Sequence, residues 1–109
     1  MRATVMALMV GLAIPAAVAA QDAKVAKGAE VYTAQKCAIC HSIGDKGNKK
    51  GPLDGVGAKL KPAELREWMT DAKGMTAKTK ATRKPDMKAY ALPADELDAI
   101  VAYMMSLKK

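Results

Sequence analysis

The chain has no phenylalanine, one tryptophan, three tyrosines, one histidine and two cysteines among its 109 residues. Each shortage excludes something. A small domain with so few large aromatics cannot bury much apolar surface by itself. A single histidine leaves one imidazole at most for a nucleophile–base pair, and a hydrolase reading lacks parts once that histidine is taken for another role. Two cysteines separated as Cys37 and Cys40 are would close only a very short disulfide loop, which removes little unfolded-state entropy. The sequence shows no strand pattern, internal repeat or low-complexity tail.

What is present begins with Arg2 and the uncharged stretch from Ala3 to Ala20, apolar through Val5, Met6, Leu8, Met9, Val10, Leu12 and Ile14 and closing in Ala16, Ala17, Val18, Ala19 and Ala20. A charged start, an apolar middle and a small-residue end make a secretory signal peptide. The pattern predicts a leader over residues 1–20, cleaved near Ala19 or Ala20, and a periplasmic protein. The run approaches the length that spans a bilayer, but Pro15 and the alanine-rich end weigh against an anchor. Residues 21–109 then make one small domain.

The stretch KCAICHSIG, residues 36–44, holds both cysteines and the only histidine, His41. In an oxidising compartment two cysteines default to a disulfide, which here would be a redox centre or nothing. A thioredoxin-like motif needs a strand before it and a helix after it, whereas this one follows a helical pattern and precedes a glycine-rich stretch. A zinc site needs about four nitrogen, sulfur or oxygen donors, and carboxylates would have to complete it. The remaining reading of Cys-x-x-Cys-His is covalent haem attachment. Two thiols a helical turn apart can each add to a vinyl group on one porphyrin edge, and the adjacent imidazole reaches the iron as proximal ligand. One haem c would also supply the flat apolar core that the aromatics do not, with Met69, Met75, Met87, Met104 and Met105 as flexible packing partners.

The remaining pattern is helical. Asp22 caps a predicted first helix with Val25, Gly28, Ala29 and Tyr32 on one face, running into the motif. The glycines from Gly44 to Gly57, with Asn48 and Pro52, predict a long loop. Pro62 opens a helix with Leu65, Trp68 and Met69 on one face, ending near Gly74. Lys73 to Lys88, polar, basic and containing Pro85, reads as an extended loop. The last helix starts at Pro93, has Asp95 and Glu96 in its first turn and Lys108 and Lys109 at its end, as the helix dipole favours. Leu97, Ile100, Val101 and Met104 form its buried stripe, with Tyr103 beside them.

With the motif near the mature N-terminus, this layout resembles the class I c-type cytochromes, most clearly in GAEVYTAQKCAICHSI, GNKKGPLDGVG and LPADELDAIVAYMMSL. The resemblance covers nearly all of residues 21–109. It implies an all-α cytochrome c domain of about three to four helices wrapped round one covalently bound haem. It also implies a close crossing of the first and last helices, with Gly28 admitting Tyr103 beside Tyr32. Pro52 maps to the proline whose carbonyl accepts the second ring nitrogen of the proximal histidine, a bond that fixes the ring and raises its basicity. Trp68 is expected as a wall of the haem pocket or a core residue.

With no second histidine, the sixth iron ligand is Met, Lys or nothing. The family pattern puts a methionine on a loop shortly before the last helix, and Met87 in RKPDMKAYALPADEL stands there, bracketed by Pro85 and Pro93. Lys88 follows it where the family often has proline, which keeps Met75 as the second candidate. A haem filled by His and Met has no open site, and thioether ligation favours reduced iron. The implied function is one-electron transfer by a small carrier rather than an enzyme. The alternatives are a haem subunit of a larger oxidoreductase, or an open-site haem protein that binds small ligands.

Charge bears on partners. The chain has 18 Lys and Arg against 11 Asp and Glu, a net charge of +7, and the leader takes away only Arg2. Lys46, Lys49, Lys50, Lys73, Lys78, Lys80, Lys84 and Lys88 lie in the two predicted loops, where they would steer redox partners with acidic docking surfaces. Nucleic acid is not expected for an exported chain without a recognition motif. Contact with an anionic membrane surface remains open, and the chain is expected to be a monomer.

Overall fold

The computed structural model describes Gly11 and residues 15–109, so most of the expected leader lies outside the described residues. Helix α1 spans Ala16–Ala34. It starts at Ala16 rather than after Asp22 because the alanine-rich run, with the highest intrinsic helix propensity, continues the helix backwards as far as Pro15. A short 3-10 turn, Cys37–Ile39, carries the motif.

Where a featureless glycine-rich loop was expected, Ser42–Ile43 (β1) pairs antiparallel with Lys46–Gly47 (β2), and Val56–Lys59 forms a single helical turn, α2. The positive φ of Gly44, 59°, lets the chain reverse between the two strands. Helix α3, Pro62–Thr70, begins on its proline, and the Lys61 N–H donates to Glu64 Oε1 at 3.0 Å.

Helix α4, Ala72–Thr79, replaces the first half of the basic stretch read as a loop. Its start is fixed by the Asp71 carboxylate, which accepts from the Gly74 N–H at 3.1 Å. Burial of Ala72 and Met75 seats it, so Gly74 lies inside a helix instead of ending one. From Lys80 to Pro93 the backbone is irregular. The last helix, α5, spans Ala94–Ser106 and stops short of Lys108 and Lys109. The all-α fold is thus as expected, with five helices among the described residues; α2 and α4 bring the number above the predicted three or four. Among these residues no helix is long and apolar enough to cross a membrane.

The crossing of α1 and α5 is the most extensive contact in the fold. Gly28 permits it: a Cβ there would overlap the Ala99 carbonyl oxygen and the Tyr103 Cβ. One turn on, the rings of Tyr32 and Tyr103 meet edge to face, centroids 5.8 Å apart. Val31, Tyr32, Leu65, Met69, Ile100, Val101 and Met104 form the core. Leu97, expected in the buried stripe, is half-buried at the core's edge. The core is small, and its buried aromatic content is one tyrosine.

Candidate functional site

Beside this core lies a cavity of about 490 Å³, within the range usual for cofactor sites. Cys37, Cys40 and His41 line one part of it, and Leu65, Met69, Ile100 and Met104 bring the core to its wall. The motif residues arrive together because α1 ends at Ala34 and the 3-10 turn packs the following residues closely. The His41 N–H donates to the Cys37 carbonyl at 2.9 Å. Both thiols are free and half-buried, and burial is the main cause that pushes the Cys37 thiol above its ordinary value.

His41 is oriented by backbone. Its Nδ1 lies 3.0 Å from the Gly51 carbonyl oxygen. A carbonyl can only accept, so Nδ1 carries the proton and Nε2 keeps its lone pair for a metal. Burial lowers the imidazole's pKa from 6.5, opposed by the bond to Gly51 and reinforced by the charge of Arg83. The ring is therefore neutral at pH 7, as ligation requires.

The partner of His41 was expected to be Pro52, and here the structure differs. Two backbone bonds set the register: Ser42 N–H to Gly51 O at 3.1 Å and Leu53 N–H to Ser42 O at 2.8 Å. Carbonyls of an extended segment alternate in direction, so the Gly51 carbonyl faces the imidazole. Pro52 is exposed and contributes nothing to the cavity wall. Gly51 must be glycine for this approach, because a Cβ would overlap the Cys40 carbonyl oxygen and the Arg83 guanidinium.

Met87 reaches the cavity wall from the irregular segment between α4 and α5. Tyr90 anchors that segment, its N–H donating to the Met69 carbonyl at 2.7 Å. Met75 is buried under α4 and is no part of the wall. Trp68 is half-buried and lines the cavity. Of the eight lysines singled out above, Lys88 alone lines it, joined by Lys36 and Arg83. Lys78 and Lys84 lie within ion-pair reach of Glu67, 3.8 Å, and Asp86, 2.8 Å. Sequence reasoning missed Gly51, Arg83, Tyr90 and the cavity-facing role of Tyr32. Only Tyr90 gave a signal, as an aromatic close behind Met87.

A family model described as Cytochrome c matches residues 25–108. The chain belongs to the cytochrome c family. Comparison with curated proteins and with solved structures gave no match. This cytochrome binds haem c covalently and serves haem-based electron transfer. Its cavity fits the group: two thiols at the attachment spacing, a neutral imidazole whose Nδ1 is held by backbone, and largely apolar walls.

Proposed function

We propose that this cytochrome is a small monohaem electron carrier of the periplasm, with thioether links at Cys37 and Cys40, His41 as proximal ligand and Met87 as distal ligand. The observation that carries the reading is one cavity lined by the two thiols, the neutral imidazole and Met87. When bound, the haem supplies a one-electron couple, and the residues set its environment. Cys37 and Cys40 tether it, and the Gly51 carbonyl holds His41 at Nδ1. Leu65, Met69, Ile100 and Met104 keep water away from it. Met87, as a soft neutral donor, favours the reduced state.

Export is supported by Arg2 and the uncharged run to Ala20. Partners with acidic surfaces suit a chain of net charge +7 with Lys36, Arg83 and Lys88 around the cavity. The testing experiment is expression with export and haem maturation intact, followed by mass measurement and redox titration. One haem per mature chain and a single reversible one-electron transition are expected. A mature chain without haem, or one that does not cycle reversibly, would overturn the reading.

A further inference from the structure

Arg83 joins two segments that the sequence keeps far apart. It stands on the irregular stretch after α4 that also delivers Met87, and the start of that stretch is fixed by the Ala81 N–H, which donates to the Thr76 carbonyl at 3.0 Å. The arginine lines the cavity and ends over Gly51, so close that Nη1 occupies the space a Cβ there would need. The Cys40 carbonyl oxygen borders the same space. Gly51 is the residue whose carbonyl holds His41 Nδ1 at 3.0 Å. One cation thus reaches from the Met87 segment to the backbone that orients the histidine.

No carboxylate is paired with that charge. The ion pairs among the described residues take Lys27, Arg66, Lys78 and Lys84. Asp86, the carboxylate nearest to Arg83 in sequence, is held by Lys84 at 2.8 Å. Of the other cations on the cavity wall, Lys88 lies over the Tyr90 ring, 5.3 Å from its centroid, and Lys36 does not border the space at Gly51. A guanidinium stays protonated at any working pH. The positive charge beside the His41–Gly51 bond is therefore permanent and uncompensated.

We propose that Arg83 helps to set the reduction potential through its charge, as an uncompensated cation held against the Gly51–His41 pair. The inference rests on the covalent-haem reading above, with His41 as proximal ligand. Oxidation passes one electron from the iron to the partner and leaves one more positive charge near the guanidinium, which like charges oppose. Ferrous iron is thereby favoured. Because Arg83 is exposed, water and salt screen the effect and keep it modest. Removing the charge is expected to shift the reduction equilibrium about threefold toward ferric iron, the order expected of one unit charge acting through water-like surroundings. That is about 28 mV by the one-electron conversion of 59 mV per tenfold.

The test is an equilibrium redox titration with small mediators, so that docking does not enter, on the exported, haem-loaded protein as wild type, Arg83→Gln, Arg83→Lys and Lys84→Gln. Arg83→Gln should lower the potential. Arg83→Lys keeps the charge and loses the planar fork, and should stay near wild type. Lys84→Gln removes an equal charge one residue away, but one already paired with Asp86, and should change the potential little. The gap between wild type and Arg83→Gln should narrow with added salt. An unchanged potential in Arg83→Gln overturns the proposal. So does an equal shift in Lys84→Gln, which would assign the effect to net charge, or in Arg83→Lys, which would assign it to hydrogen bonds of the fork. Loss of the far-red absorption band of axial methionine in Arg83→Gln also overturns it, because the shift would then come from a changed ligand. Arg83→Met offers the same loss of charge should Arg83→Gln fail to load haem. Haem missing from the wild type would sink the function reading, whereas haem present with a silent Arg83→Gln sinks this inference alone.

Discussion

The Nδ1 of His41 and the carbonyl oxygen of Gly51 are 3.0 Å apart, and that oxygen also accepts from the Ser42 N–H at 3.1 Å. Both lone pairs of one carbonyl are thus engaged. The imidazole is held by a backbone atom whose position is itself fixed by the pairing of residues 51–53 with Ser42. Any side-chain change that leaves this backbone in place should leave the ring in place.

Gly51→Ala should not leave it in place. The Arg83 guanidinium could swing away from the new Cβ, but the Cys40 carbonyl could not. With the bond to Nδ1 weakened, the imidazole donates less to iron, so the reduction potential should rise. Stability should fall by about 1–3 kcal/mol, as for other overpacked sites. Pro52→Ala keeps the Gly51 carbonyl and should leave the potential unchanged. Redox titration of the two variants tests this; a shift in Pro52→Ala with none in Gly51→Ala would reinstate the proline as the histidine's partner.

Gly28→Ala should be among the most destabilising single changes in the chain. The added Cβ would meet the Ala99 backbone carbonyl, which has no rotamer to change, so α1 and α5 must separate. A loss of about 3 kcal/mol is expected in urea unfolding of the loaded protein. Asp95→Asn breaks the exposed Lys27–Asp95 pair across the same two helices. Its effect should be well under that of Gly28→Ala and should fade with added salt.

The phenol of Tyr32 has a pKa raised above 10.0, chiefly by burial. In the folded state it therefore holds its proton to higher pH than in the unfolded state. Its contribution to stability is complete below pH 10 and is lost as pH rises through the folded value. Urea midpoints should fall in alkaline solution more steeply for wild type than for Tyr32→Phe. Equal slopes would show that Tyr32 is not the group responsible.

Electron transfer with an acidic partner protein should slow as salt rises. Arg83, at the cavity wall, should matter more than Lys84, which is partnered by Asp86. In stopped-flow measurements at low salt, Arg83→Gln is expected to reduce the bimolecular rate several-fold and Lys84→Gln to change it little. Equal effects would mean that overall charge, rather than the cavity edge, guides association.

Much of this was legible in the residues because it depends on local spacing. Cys37, Cys40 and His41 announce their chemistry by adjacency, and most of the α5 stripe follows from helical period; the Gly28 crossing was implied by the resemblance to the class I c-type cytochromes and not by spacing. Helix α4 was not legible: its cap, Asp71, and its buried Met75 are scattered among lysines and a glycine that argue for a loop. The replacement of Pro52 by Gly51 was hidden for another reason. Which of two consecutive carbonyls faces His41 depends on the register against Ser42, and register is a tertiary fact. Likewise Arg83 looks like any other surface cation in sequence, and only the packing of the segment after α4 brings it beside Gly51.

The most direct measurement is the absorption spectrum of the ferric, haem-loaded protein in the far-red region, where a sulfur-to-iron charge-transfer band reports axial methionine. The band should be present in wild type, absent in Met87→Ala and retained in Met75→Ala, because Met87 lines the cavity and Met75 lies under α4. A high-spin ferric spectrum without the band in wild type would mean an open distal position and contradict a simple electron carrier; loss of the band in Met75→Ala alone would contradict the assignment of Met87.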